Sequence, residues 1–263
     1  MRFSKYHGLG NDFIFIEDCA GELVEKGAGL ARKLCHRNFG IGGDGLVFIT
    51  KMMGLYTMRI FNADGSEAET CGNALRCFAD YLLKRGLLSG PNIEVNTLGG
   101  VKRISAAGDQ YTVDMGEPDF SFNQARPLGV VSHGQSWSLY PVSLGNPHGV
   151  AFLENLADLD LAFWGPRLEQ ASIWPRGANI EFTQVISAQH LKVRVWERGV
   201  GPTLACGSGA CAAVVVAGRL GLTRGPVRVT LPGGDLFIEH NTKNRVLMTG
   251  PAERVFDGVI ELD

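Results

Sequence analysis

No stretch of this chain approaches the ~18 consecutive apolar residues that a membrane-spanning helix needs. The longest apolar run near Cys206 is Ala210 to Ala217. The N-terminus, Met1 to His7, carries charge and lacks the apolar core of a signal peptide, so a cytoplasmic location is expected. Neither sign of charge dominates: 25 Lys and Arg stand against 27 Asp and Glu. That balance leaves no footprint for nucleic acid or an anionic membrane. There is no Cys-x-x-Cys pair, and the His residues do not sit at zinc spacing around the cysteines. A metal site is therefore not expected. In a chain without a secretory signal, cysteines 19, 35, 71, 77, 206 and 211 read as reduced thiols rather than a disulfide framework.

Glycine is plentiful, with 35 of 263 residues, and it punctuates short apolar runs. These runs predict strands at Phe13–Glu17, Leu46–Lys51, Tyr56–Asn62, Asn92–Thr97, Gln110–Met115 and Ser138–Leu144. Further strands are predicted at Ile180–Ile186, Leu191–Glu197, Val227–Leu231, Asp235–Glu239, Arg245–Thr249 and Gly258–Leu262. Helical spacing appears at Val24–His36, Cys71–Arg85, Leu159–Ala171 and Cys206–Leu220. Strands outnumber helices and do not strictly alternate with them. The expected class is α/β of the α+β type, with curled mixed sheets around a few helices.

The chain repeats itself at an offset of 135 residues. Cys71-Gly72 falls on Cys206-Gly207, Gly10-Asn11 on Gly145-Asn146, and Asp44 on Asn179. Met58-Arg59-Ile60-Phe61 falls on Val193-Arg194-Val195-Trp196. Two pseudo-symmetric domains follow: residues 1–116, with 251–263 returning to complete them, and residues 117–250. Like units tend to pack about a twofold axis, which would set equivalent residues face to face at a cleft.

Each Cys-Gly pair ends a polar loop and opens a helix. A helix N-terminus offers unpaired N–H groups and a partial positive charge, which suit a carboxylate. The same field favours a thiolate over a thiol. Two such thiols on one substrate would allow one to take an α-proton and the other to deliver one to the opposite face, inverting the stereocentre without a cofactor. Gly72, Asn73, Gly207 and Ser208 would supply the N–H groups. Asn11, Asn62, Asn146 and Asn179 lie in Gly-rich loops, where an Asn ordinarily serves the backbone but four together suggest a polar pocket. Glu197 and Arg198 end a strand at the position of Asn62-Ala63 in the first unit. His148 falls in a turn, where a surface position is the default and tuning of a thiol or contact with substrate the alternative. Cys19 and Cys35 read as small buried hydrophobes, and Cys77 and Cys211 as core or supporting residues. Gly40 to Gly45 fits G-x-G-x-x-G, but a helix precedes it and a strand follows, the reverse of a dinucleotide site. It reads as a tight turn.

At these residues the chain resembles the diaminopimelate epimerase family. The matching segments are His7-Gly8-Leu9-Gly10-Asn11-Asp12-Phe13, Phe61-Asn62-Ala63-Asp64-Gly65-Ser66, Cys71-Gly72-Asn73, Gly145-Asn146-Pro147-His148, Glu197-Arg198-Gly199 and Ala205-Cys206-Gly207-Ser208-Gly209. The resemblance implies a two-domain fold and cofactor-independent interconversion of LL- and meso-2,6-diaminopimelate. It implies that Cys71 and Cys206 are the acid/base pair. It places Gly72, Asn73, Gly207 and Ser208 on the reacting carboxylate, and Asn11, Asn62, Asn179, Glu197 and Arg198, with Asn146 beside them, on the rest of the substrate. Three positions depart from the family pattern: Ala74 where Gly is common, Gly45 where some members have Gln, and Gly149 where a larger residue is usual. The partner expected is a small amino acid, with no nucleic acid and no membrane; a homodimer is left open. Competing readings are a related racemase acting on another amino acid, a thiol redox protein, and a non-catalytic amino-acid-binding module.

Overall fold

In a computed structural model, residues 1–52, 54–124 and 126–261 are described. The chain forms two compact units, Met1–Val113 with Gly250–Asp263, and Asp114–Thr249.

The first unit begins with β1 (Arg2–Gly8) and β2 (Asn11–Glu17). The two-residue turn between them puts Leu9 at φ 57° and Gly10 at φ 86°. This is the left-handed turn that matches strand twist and explains a Gly at position 10. A 3₁₀ turn (Val24–Lys26) leads into α1 (Gly27–Leu34). Then come β3 (Gly45–Met52), β4 (Leu55–Asn62), β5 (Glu67–Ala68) and α2 (Gly72–Lys84). The unit continues with β6 (Asn92–Thr97), β7 (Gly100–Ala107) and β8 (Gln110–Gly116), the division falling within β8.

The second unit holds β9 (Leu128–Ser132), β10 (Gln135–Ser143), β11 (Pro147–Phe152), α3 (Leu161–Glu169), β12 (Asn179–Ser187), β13 (His190–Glu197) and β14 (Gly201–Thr203). It ends with α4 (Gly207–Arg219), β15 (Val227–Leu231), β16 (Gly234–His240) and β17 (Val246–Pro251), whose last two residues fall in the first unit. The last strand, β18 (Glu253–Val259), belongs to the first unit and pairs antiparallel with β1. Of the predicted strand Gly258–Leu262, Leu262 lies outside the described residues.

Pairing within each unit follows one plan. In the first, the order is β18-β1-β2-β3-β4-β6-β7-β8, parallel at β2/β3 and β4/β6, with β5 also on β4. In the second it is β9-β10-β11-β12-β13-β15-β16-β17, parallel at β11/β12 and β13/β15, with β14 also on β13. So β18, from the end of the chain, gives β1 the edge partner that β9 gives β10. Helices α2 and α4 span the same thirteen residues 135 positions apart.

The central strands β1, β2, β3, β11 and β12 are buried on both faces over most of their length, whereas β6 alternates and β7, β9 and β18 are largely exposed. Leu46 and Phe48 of β3 join Ile14, Ile16, Ala31 and Leu34 in the layer under α1. On the other face Phe15 meets Phe78 and Tyr81 of α2. Helix α4 is buried almost all round, which suits its Ala and Val composition. In the second unit Trp137, Leu139, Trp174, Ile180 and Phe182 form the matching layer with α3. Two expectations are corrected. Cys19 is exposed, since it lies in the turn after β2 rather than in the core. His148 is not in a surface turn: β11 begins at Pro147 and His148 is completely buried.

Candidate active site

In the first unit Cys71 is the N-cap of α2, with extended backbone (φ −144°, ψ 118°). The cap residue leaves the helix path here, at the end of α2 where the first-turn N–H groups lie. Cys71 is partly exposed, and its Sγ lies 4.0 Å from Asn11 Oδ1. Asn73 is buried and donates from Nδ2 to the same Asn11 oxygen at 3.1 Å. Behind Asn73, the fully buried Arg76 donates to Asn73 Oδ1 at 2.9 Å and to the Pro251 carbonyl at 3.0 Å. Gly8 makes room for this guanidinium: a Cβ there would lie 2.8 Å from Arg76 Nη2.

On the other side, Asn11 Nδ2 donates to Asp44 Oδ2 at 2.8 Å. Asp44 also accepts from the Asp12 backbone N–H at 3.1 Å and from Arg37 at 2.7 Å. Asp12 pairs with Arg37 (2.8 Å) and Lys5 (2.6 Å), and Lys5 reaches the Gly42 carbonyl. Burial opposes the Asp12 charge, but hydrogen bonds from Arg37 and Lys5 outweigh it and hold the carboxyl at about 2. The glycine cluster 40–45 is thus the turn that delivers Asp44, with Gly42 at φ 82°. Asn62, at the end of β4, is exposed and donates to Ser66 Oγ at 2.9 Å.

In the second unit Cys206 is the N-cap of α4 (φ −110°, ψ 108°) and is 4% exposed. Its sulfur accepts from the Gly209 N–H at 3.4 Å and lies 3.6 Å from Ser208 Oγ. Burial, then the carboxylates of Glu197 and Glu181, push this thiol well above its ordinary range; Ser208 and Gly209 work the other way. Glu197 is itself raised by burial, although it accepts hydrogen bonds from Thr203 (2.6 Å) and the Cys206 thiol. Asn146 donates to Ser208 Oγ at 3.4 Å and accepts from His148 Nε2 at 3.0 Å. His148 Nδ1 lies 2.7 Å from Glu181 Oε1, both side chains being fully buried. Gly209 is required by this packing, because a Cβ would stand 2.8 Å from Glu181 Oε1 and 3.2 Å from the Cys206 sulfur. Asn179 is buried and braces backbone: it donates to the Pro147 carbonyl (3.2 Å) and accepts from the Arg198 N–H (2.9 Å). The exposed Arg198 side chain reaches towards the Arg176 carbonyl at 3.5 Å.

The structure therefore gathers Cys71, Gly72, Asn73 and Asn11 around the α2 N-terminus. It gathers Cys206, Gly207, Ser208, Asn146, His148 and Glu197 around that of α4. Sequence reasoning missed Asp44, Arg76 and Glu181. Signals existed for two of them: Glu181 is a lone acid inside the apolar run Ile180 to Phe182, and Arg76 lies between Leu75 and Cys77. Of the departures from the family pattern, Gly149 has a local explanation, since a Cβ there would meet the Trp174 ring at 2.7 Å. Gly45 is similarly enclosed, by the Phe61 carbonyl (3.2 Å) and the Phe13 ring (3.3 Å). Among the described residues no cluster of His, Cys, Asp and Glu has the arrangement of a metal site, and no helix is long and apolar enough to cross a membrane.

Comparison with known proteins agrees across the whole chain. The profile of the family described as diaminopimelate epimerase matches residues 3–121 and 140–255. The chain is 48% identical to a diaminopimelate epimerase of Desulfitobacterium hafniense over 277 residues, covering 99% of this chain and 98% of that protein. It is 43% identical to one of Moorella thermoacetica over 279 residues, covering both completely. Solved structures share the fold at low identity. A putative phenazine biosynthesis PhzC/PhzF protein from Clostridium difficile superposes with a TM-score of 0.73 at 17% identity over 100% of both chains. A probable proline racemase from Agrobacterium radiobacter K84 gives 0.76 at 12% identity, over 100% of this chain and 93% of that one. With two repeat-related cysteines capping equivalent helices, and relatives this similar over the full length, the chain belongs to the diaminopimelate epimerase family.

Proposed function

We propose that this protein interconverts LL- and meso-2,6-diaminopimelate by two-base proton transfer, with Cys71 and Cys206 as the acid and base. The observation that carries the mechanism is the placement of both cysteines as N-caps of repeat-equivalent thirteen-residue helices. A stabilised α-carbanion needs its carboxylate held by hydrogen-bond donors. The N–H groups of Gly72 and Asn73, and of Gly207 and Ser208, are suited to that. Inversion then requires a thiolate on one face of the α-carbon and a thiol on the other.

The environments suggest how the roles divide. Burial and two nearby carboxylates favour the protonated form of Cys206, the form that donates. The Ser208 hydroxyl and Gly209 N–H are aligned to hold the thiolate left behind. Cys71 then acts as base in that direction, and the roles exchange in the reverse reaction. A helix N-terminus contributes at most ~2 kcal/mol to a charge beside it. Enzymes lower barriers by ~8–23 kcal/mol. Water exclusion and preorganised donors must supply much of the remainder. Asn62, Glu197 and Arg198 are assigned to the distal amino-acid end: a carboxylate suits an ammonium, and a guanidinium suits a carboxylate. Asn11, Asn146 and Asn179 complete the polar lining, with His148 tuning Cys206 through Asn146 and Ser208. The substrate is a small amino acid and the proposed location is cytoplasmic.

The test is incubation of the reduced protein with LL-diaminopimelate, followed by chromatographic separation of the isomers. The meso isomer should form, and Cys71→Ala and Cys206→Ala should each abolish its formation. Undiminished turnover in either variant, or binding without turnover in the parent protein, contradicts the assignment.

A further inference from the structure

The hydrogen bonds beside Cys71 run in one direction between two opposite charges. Arg76 carries only donors, so the Asn73 atom facing it is the carbonyl oxygen. The Asn73 nitrogen must then face Asn11, and it meets the Asn11 oxygen at 3.1 Å. The Asn11 nitrogen in turn faces Asp44 Oδ2. That carboxylate already accepts from the Asp12 N–H and from Arg37. A buried guanidinium at one end and a carboxylate at the other fix both amides. The Asn11 oxygen is left pointing at the Cys71 sulfur.

The second unit lacks this arrangement. The positions equivalent to Asp44 and Arg76 are Asn179 and Cys211, both neutral. There the asparagine is reversed: Asn146 gives its oxygen to His148 and its nitrogen to Ser208, beside Cys206. Repeat-equivalent asparagines thus offer opposite ends of the amide to their two half-sites.

We propose that Asp44 and Arg76 are positioning residues for the chemistry assigned to Cys71, a role that rests on the proposed epimerase function. Their charges set the direction of the hydrogen-bond run, so that Asn11 offers Cys71 an acceptor and never a donor. An acceptor stabilises the S–H form. A flipped Asn11 would offer an N–H and stabilise the thiolate, trapping the proton-abstracting form at the expense of the proton-donating one. The charged groups around the run are Lys5, Asp12, Arg37 and Asp44 on the strand side and Arg76 on the helix, with the buried thiol of Cys77 behind them.

The direct test is the pH profile of Cys71 alkylation by iodoacetamide, followed peptide by peptide in the full chain. Asp44→Asn can donate as well as accept, so Asn11 is held from the Asn73 side alone and its reversed rotamer becomes accessible. The Cys71 midpoint should fall by about half a pH unit or more, giving about three-fold more thiolate well below the midpoint. Asp12→Asn removes a neighbouring carboxylate that does not touch the Asn11 side chain, and should leave the midpoint close to that of the parent. On diaminopimelate, Asp44→Asn should lower kcat with little change in KM. Arg76→Leu should do the same, with Arg76→Lys recovering part of the loss. Equal shifts in Asp44→Asn and Asp12→Asn would reduce the effect to net charge and overturn the proposal, as would no shift in a folded Asp44→Asn protein. Asp44 lies at the protein surface, so this variant is expected to fold even if the Arg76 variants do not. Alkylation needs no substrate, so its result stands apart from the epimerase assignment, which fails only if the parent protein does not epimerise.

Discussion

His148 Nδ1 sits 2.7 Å from Glu181 Oε1, with neither side chain exposed. In the first unit, 135 residues earlier, the same two positions are Phe13 and Leu46, also buried. One repeat keeps an apolar pair where the other keeps an ionisable one. The cost of burying Glu181, whose carboxyl is raised by desolvation, is therefore accepted at one half-site only.

That comparison predicts an asymmetric mutant cycle. His148→Phe and Glu181→Leu should each cost about 3–5 kcal/mol, because each leaves a buried polar partner behind. The double variant recreates the pair of the first unit and should recover most of the loss. Denaturant unfolding midpoints read this out. Epimerase activity should stay low in the two variants that lack His148, because Asn146 loses the group that orients it.

Gly209→Ala places a methyl against Glu181 and the Cys206 sulfur. Displacing a reacting group by an ångström can cost about 10²-fold, and a fall in kcat of that order is expected. The equivalent position in α2 already carries Ala74, with Leu46 rather than an acid in the strand position matching Glu181. Ala74→Gly should leave kcat nearly unchanged and cost about 1–2 kcal/mol of stability, the helix penalty of glycine plus the loss of a buried methyl. Steady-state kinetics and thermal unfolding of the two variants check the contrast.

Asp12 links β2 to the loop that carries Asp44. Its carboxyl is depressed from 3.8 to about 2. A depressed acid stabilises the fold above its unfolded pKa, and that stabilisation is lost as pH falls through the folded value. About 2 kcal/mol should therefore be present at neutral pH and disappear between about pH 4 and about pH 2. Asp12→Asn should be less stable than the parent at pH 7 and approach it in acid. Urea midpoints across that range measure the convergence.

Trp174 occupies the space that a side chain at position 149 would need. Gly149→Val should destabilise by about 1–3 kcal/mol through overpacking, and Trp174→Leu in the same chain should relieve part of it. A thermal melt of the single and double variants decides the point.

Much of this was legible in the residues. The fixed offset located α2 and α4, and it paired Asn11 with Asn146 and Asp44 with Asn179. The apolar runs located β6 and β15 at their observed limits. Strands such as β1, β7 and β9 were not legible, because Lys, Arg, Ser and Gly interrupt their apolar positions and only pairing to neighbours defines them. His148 read as a turn residue because Gly145, Asn146 and Pro147 precede it. Its burial depends on Glu181, which is distant in sequence. Arg76 was missed for a related reason: despite its apolar neighbours, a mid-helix Arg ordinarily faces solvent, and only the folded chain brings the Pro251 carbonyl and Asn73 to receive it. Motif and offset identified the groups proposed to meet the substrate; the residues that orient those groups came from packing.

The most direct test of the two-base account is an early-time reaction of LL-diaminopimelate in heavy water. Two-base chemistry predicts that the meso product carries one deuterium at the inverted carbon, delivered by a solvent-exchanged thiol, while LL substrate recovered at the same time carries none. Meso product that retains the original hydrogen would mean that a single residue removes and returns the proton, and would contradict the roles assigned to Cys71 and Cys206.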